Sequence, residues 1–245
     1  MRSYDDIVRR VEALEGEFLH CRVLGEVESY PIFNITLSRE KACPTALVIA
    51  GTHGDEPAGV EAVLEVLEGV AEEWLIAFNF EFIPCLNPYG YVHSRRHNAQ
   101  DIDLNWSYDR VDLGEIDCLR SLVTGRRFTW VLDLHEDWES GGFYLYELRR
   151  NAPGIGAEIV RRVAAVCPLN TSVEIEGHPA ENGLVFADID KEALRGEGIP
   201  LNMYRDHTDH LLTCESPTGL EMGQRIAAHR VALQTLMEIY LSTLT

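Results

Sequence analysis

A chain of 245 residues with 46% apolar side chains can bury a full core in one domain without disulfide or metal staples. Its 40 acidic against 21 basic residues give a formal charge of -19, which repels nucleic acid and anionic lipid, so neither is expected as a partner. The opening MRSYDDIVRRVEALEGEF lacks the apolar centre of a signal peptide and no run of about 18 apolar residues occurs, so the expectation is a soluble, cytoplasmic protein.

In chain order, residues 5 to 15 read as an amphipathic helix, and PIFNITL (31 to 37) and TALVIAG (45 to 51) as strands. The second is apolar throughout, as a central strand covered on both faces would be. Pro57 suits the first turn of a helix running through AGVEAVLEVLEGV and stopping near Gly69. NFEFIPCLN (79 to 87) reads as a strand, EIDCLRSLVTG (115 to 125) as a helix, and TWVLDLHE (129 to 136) and FYLYEL (143 to 148) as strands. A helix over about 155 to 166, a strand HLLTCES (210 to 216) and a long helix from Gly219 to Leu244 complete the series. Strands alternating with helices predict an open α/β sheet, mainly parallel, with helices on both faces. No repeat, low-complexity tract or linker divides the chain. The six cysteines, Cys21, Cys43, Cys85, Cys118, Cys167 and Cys214, form no C-x-x-C pair, so reduced thiols are expected and a thiolate metal site is not.

In such sheets function gathers beyond the carboxyl ends of the strands. His53 and Glu56 in GTHGDEPAG follow the 45 to 51 strand, His135 closes the 129 to 136 strand, and Glu215 closes the 210 to 216 strand. Two histidines and a glutamate are an established catalytic zinc set that leaves a position for water, and His53, Glu56 and His135 can fill it. A tight turn at Gly54 would bring side chains three residues apart onto one ion. Taken alone, H-x-x-E at a helix start also describes a solvated cap, and a histidine ending a strand also describes a half-buried hydrogen-bonded residue.

The ordered series GTHGDEPAG, LNPYGY, RRHNAQDIDLN, LDLHED and LTCESPTG resembles the zinc carboxypeptidase superfamily over about residues 45 to 220. That superfamily includes carboxypeptidases, small murein-peptide amidases and the deacylases related to aspartoacylase and succinylglutamate desuccinylase. The resemblance implies a single-domain, three-layer α/β sandwich with a mostly parallel mixed sheet. It would span residues 1 to 245, with a catalytic core at about 31 to 220 and a closing helix at about 220 to 243. It also implies a hydrolase of amide bonds holding one zinc ion per chain on His53, Glu56 and His135, although other divalent ions accept the same ligands. Glu215 becomes the catalytic glutamate, Arg96 (with Arg95 as rival) the cation that polarises the carbonyl, and Asn105 a substrate-carboxylate contact. Asp103 becomes the acceptor that orients a ligand histidine, and Tyr204 the candidate capping tyrosine.

One position departs from the pattern. The family has Asn-Arg where this chain has Asn105 and Trp106, and tryptophan cannot grip a carboxylate bidentately. Either another cation takes over, Arg95 and Arg110 being nearest in sequence, or the substrate lacks a carboxylate there. Trp106 itself can stack on an apolar or sugar-like group, or simply pack. The short stretch after Glu215 points to a carboxypeptidase or small peptide amidase acting on a small peptide. An N-acyl amino acid deacylase is the alternative, and an inactive zinc- or ligand-binding homologue the alternative of another class. Oligomeric state has no signature in the sequence.

Overall fold

The computed structural model describes residues 2–14, 16–39, 43–69, 78–152 and 154–242. The expected helix ends at residue 15 and at residues 243 and 244 lie outside them. Helices α1 (Tyr4–Glu12), α2 (Pro57–Glu68), α3 (Pro88–His93), α4 (Gly114–Val123), α5 (Gly156–Val163), α6 (Ile189–Ala193), α7 (Ile199–Asn202) and α8 (Met222–Ser242) surround a single sheet. Its strands are β1 (Leu19–Val27), β2 (Tyr30–Leu37), β3 (Thr45–Ala50), β4 (Asn79–Ile83), β5 (Val131–Asp137), β6 (Tyr144–Arg149), β7 (Glu174–Ile175), β8 (His178–Glu181), β9 (Leu184–Val185) and β10 (His210–Pro217).

Among the described residues the strand order is β1-β2-β4-β3-β5-β10-β6-β9-β8-β7. The four adjacent strands β4, β3, β5 and β10 run parallel, and antiparallel pairs flank them on both sides. The predicted parallel character therefore belongs to the centre of the sheet. There the chain steps from β3 outward to β4 and then returns to the other side of β3 as β5. The crevice between β3 and β5 is thus a topological switch point, where carboxyl-end loops diverge and leave room for a ligand.

The period-two geometry of a strand sends alternate side chains to opposite faces, and two cores result. Ala46, Val48 and Ala50 of β3, Leu132 and Leu134 of β5, and Leu212 and Cys214 of β10 join α1, α2, α5 and α8 in one core. Leu47, Ile49, Val131 and Leu211 join α4 and α7 in the other. This is the expected three-layer arrangement. The strand predicted to reach residue 87 ends at Ile83, because Asn87 accepts from the Gly90 amide at 2.8 Å and caps α3 instead.

The turn after β3 needs two glycines. Gly51 has a φ of +65°, which favours glycine, and a Cβ on Gly54 would stand 1.8 Å from the Gly90 carbonyl carbon. Gly54→Ala is expected to cost about 1 to 3 kcal/mol and lower the thermal midpoint, because main chain, not a flexible side chain, blocks the methyl. Gly223→Ala, in the exposed first turn of α8 with nothing within 4 Å, should be neutral or stabilising. Equal midpoints for the two variants would show that the turn tolerates a Cβ.

His229 on α8 is wholly buried, stands edge-on to Phe143 and faces the main chain of His135. Burial, reinforced by the charges of His135 and Arg225, pushes its imidazole down to about 3. An unfolded histidine titrates near 6.5, so between those values the unfolded chain binds the additional proton and stability falls as pH falls. The slope from this group reaches about 1.4 kcal/mol per pH unit. His229→Leu is expected to flatten the acid limb of a thermal-midpoint profile between pH 6.5 and 4, and an unaltered limb would reject that assignment.

Candidate metal centre

The loop after β3 carries His53 and Glu56 into the crevice. Glu56 occupies the position before Pro57, at the N-terminus of α2, and β5 delivers His135 one strand away. The ligand-type atoms of all three lie within 4.8 Å of one another, and all three residues are buried. His53 Nδ1 is 2.7 Å from Glu56 Oε1, His135 Nδ1 is 3.0 Å from Glu56 Oε2, and the two Nδ1 atoms are 3.1 Å apart. The Glu136 main-chain amide donates to Glu56 Oε2 at 3.0 Å, which fixes the carboxylate between the rings.

The outer nitrogens decide what those rings can do. His53 Nε2 is 3.1 Å from Asp103 Oδ1, and His135 Nε2 is 3.2 Å from Asp133 Oδ2. Asp133 is buried, neither of its oxygens makes a well-aligned hydrogen bond among the described residues, and it acts on His135 as an ion-pair partner. With protons on the outer nitrogens, two imidazole lone pairs and a carboxylate converge on one point. Ligands about 2.0 to 2.1 Å from a tetrahedral zinc lie about 3.3 Å from each other, close to the Nδ1 separation seen here. The donor set therefore fits a divalent cation, with each histidine oriented by a carboxylate behind it.

The electrostatics agree. Burial works to neutralise Glu56, yet the flanking His53 and His135 hold its carboxyl far below the ordinary range. Burial depresses both imidazoles, but Glu56 and Asp103 outweigh it at His53, and Asp133 and Glu56 outweigh it at His135, so both are raised. Without an ion the cluster holds protons; a cation takes their place.

Around this centre lies an open cleft of about 190 Å³. Arg96 lines it, donating from Nε to Asp103 Oδ2 at 2.9 Å and from Nη1 to Glu56 Oε1 at 3.3 Å. Asn105 lines it too, its Oδ1 buried and unpartnered, and Trp106 stands beside it. Glu215 reaches the cleft from β10, opposite His135 in the parallel ladder. Burial pushes its carboxyl well above the ordinary range; His135 opposes this and Glu56 reinforces it.

Two expected residues fall elsewhere. Arg95 pairs with Asp101 and stands over the Tyr89 ring, outside the cleft lining, which separates it from its rival Arg96. Tyr204 is buried in the second core beneath the guanidinium of Arg150 and does not line the cleft. Arg110, a possible replacement cation, pairs with the neighbouring Asp112.

Several residues in and behind the cleft have a weaker signature in the sequence or none. Asp133 could have been found from D-x-H on a strand, since residues two apart share a face. The same alternation in FYLYEL places Tyr144, Tyr146 and Leu148 together on the cleft wall. Arg195, which also lines the cleft, has no local signal at all.

Comparison with known proteins gives three kinds of match. The family model described as the succinylglutamate desuccinylase/aspartoacylase catalytic domain matches residues 42–183. Carboxypeptidase SOL1 of Arabidopsis thaliana is 29% identical over 161 residues, 58% of this chain but 32% of that relative, so the match spans about a third of the relative's length. A protein from Shewanella amazonensis assigned as a metallopeptidase superposes with a TM-score of 0.81 at 22% identity, covering 96% of this chain and 91% of its own. A metallo-carboxypeptidase from Burkholderia cenocepacia gives 0.73 at 16% identity, covering 100% and 70%. At these identities the structures speak for the fold.

Asp133→Asn, which keeps the shape and removes the charge behind His135, is expected to weaken zinc binding 10- to 100-fold in a competition titration with a chelator. Unchanged affinity would mean that Asp133 does not orient the ligand.

Proposed function

The chain belongs to the succinylglutamate desuccinylase/aspartoacylase catalytic-domain family of hydrolytic enzymes, and from that premise we propose that it is a zinc-dependent hydrolase of amide bonds in which His53, Glu56 and His135 hold one ion. The observation that carries this is the pair of Nδ1 atoms 3.1 Å apart, each ring turned toward a carboxylate by its other nitrogen. When bound, zinc supplies Lewis acidity and lowers the pKa of a water toward about 7.

The chain's own groups do the rest. Glu215 takes a proton from the attacking water and returns it to the leaving amine, and burial strengthens its hold on that proton in between. Arg96 is tethered through Nε and Nη1, and its Nη2, without a partner among the described residues, donates to the carbonyl oxygen as charge gathers there. Asp103 holds both His53 and Arg96, so one carboxylate registers the metal side of the site against the oxyanion side.

Two substrate classes use this chemistry. A metallocarboxypeptidase or small peptide amidase is supported by the curated relative and the fold. An N-acyl amino acid deacylase is supported by the family model. Incubating the zinc-loaded protein with free-carboxylate peptides, their C-terminal amides and N-acyl amino acids, and reading released amine, separates them. Turnover of none would favour a binding homologue.

Glu215→Gln is expected to lower kcat by 100-fold or more while retaining one zinc per chain by elemental analysis. Activity within a few-fold of the parent would remove Glu215 from the proton-transfer role.

A further inference from the structure

The cleft is lined by seven carboxylates and, among the described residues, by two arginines. Away from the metal ligands, those arginines are the positive groups that an anionic group entering the cleft can pair with. Arg96 uses Nε and Nη1 on Asp103 and Glu56, which leaves a single Nη2 for the carbonyl oxygen and no two-atom edge for a carboxylate.

Arg195 is differently placed. Its guanidinium carbon lies 4.6 Å from the centre of the Trp106 ring, and an ideal Cβ on Gly198 would meet that ring at 3.0 Å, so glycine lets the indole seat closely against the chain. Stacking on indole holds a guanidinium flat and favours its charge. Both ion pairs of Arg195 use one atom: Nη1 donates to Glu176 at 2.9 Å and to Glu192 at 3.5 Å. Nε and Nη2 have no partner among the described residues, and together they form the edge that grips a carboxylate with two parallel hydrogen bonds. Neither glutamate belongs to Arg195 alone, since Glu176 also accepts from Tyr146 and Glu192 contacts His178. The same cleft has an apolar wall of Leu148, Ala187, Pro200, Leu201 and Leu211.

We propose that Arg195, seated on Trp106, is the specificity residue that binds the carboxylate of the amino acid released, and that the apolar wall receives that amino acid's side chain. The inference rests on the amide-hydrolase reading. It explains how tryptophan can occupy position 106 without loss of carboxylate recognition: the cation comes from the segment after α6, and the indole becomes its platform. Peptides and N-acyl amino acids that release an apolar amino acid both satisfy it.

The test has a kinetic and a binding arm. For wild type, kcat/KM for N-acetyl-Ala-Leu should exceed that for its C-terminal amide by about 30-fold or more, in keeping with a charge-assisted hydrogen-bonded pair. Arg195→Gln should abolish that preference by raising KM for the acid, with kcat within threefold and the amide unaffected. Arg195→Lys should restore part of it, and adding Trp106→Arg to Arg195→Gln should restore more. Equal losses on acid and amide, or no loss, would overturn the proposal while leaving the hydrolase reading intact.

If no amide is turned over, the hydrolase reading fails and calorimetry still decides the carboxylate site. Zinc-loaded Glu215→Gln should bind N-acetyl-leucine at least tenfold more tightly than N-acetyl-leucinamide, and the added Arg195→Gln change should equalise them. Preference surviving that change would place carboxylate recognition elsewhere.

Discussion

Two imidazole nitrogens 3.1 Å apart, with a carboxylate between them and another behind each ring, form an arrangement that a buried site keeps only in the presence of positive charge. Protons or a metal ion supply it. Much of the surrounding architecture keeps those rings in place. Glu136 follows His135, sends its main-chain amide to Glu56, and accepts from the first turn of α2 at the Ala58 amide and from Arg225 on α8. One strand, one helix start and the closing helix therefore meet within a single network at the back of the site.

The sheet makes the meeting possible. Parallel pairing of β3, β5 and β10 puts three carboxyl ends on one edge, and the reversal of direction around β3 opens the crevice there. The loop that enters it must turn within a few residues against α3, and Gly54 permits main chain to approach main chain. Burial on both faces keeps the strands stiff, so His135 on β5 and Glu215 on β10 share a fixed register.

Charge is the second constraint. A chain carrying -19 with a carboxylate-rich cleft does not attract anions over distance, and any anion bound there depends on a local, oriented cation. Arg195 on Trp106 is such a group, held by an aromatic face and by two carboxylates that share their acceptance with Tyr146 and His178.

The sequence by itself determined what local chemistry can encode. The apolar runs gave the central strands and the helical spacings gave α2 and α8, because burial imposes periods of 2 and 3.6 on side chains. The positions of His53, Glu56, His135 and Glu215 at strand ends were legible for the same reason. The β1–β2 hairpin was not fully legible: β1 is a largely exposed edge strand, and its turn places Glu28 and Ser29 at φ of 52° and 67° where the eye looks for Asn-Gly. The tertiary structure alone decided which of two adjacent arginines enters the cleft, since neighbouring side chains diverge and only Arg96 meets Asp103 and Glu56. It alone placed Arg195 over Trp106, 89 positions earlier in the chain, because a cation and its aromatic platform leave no periodic trace when the fold joins segments so far apart.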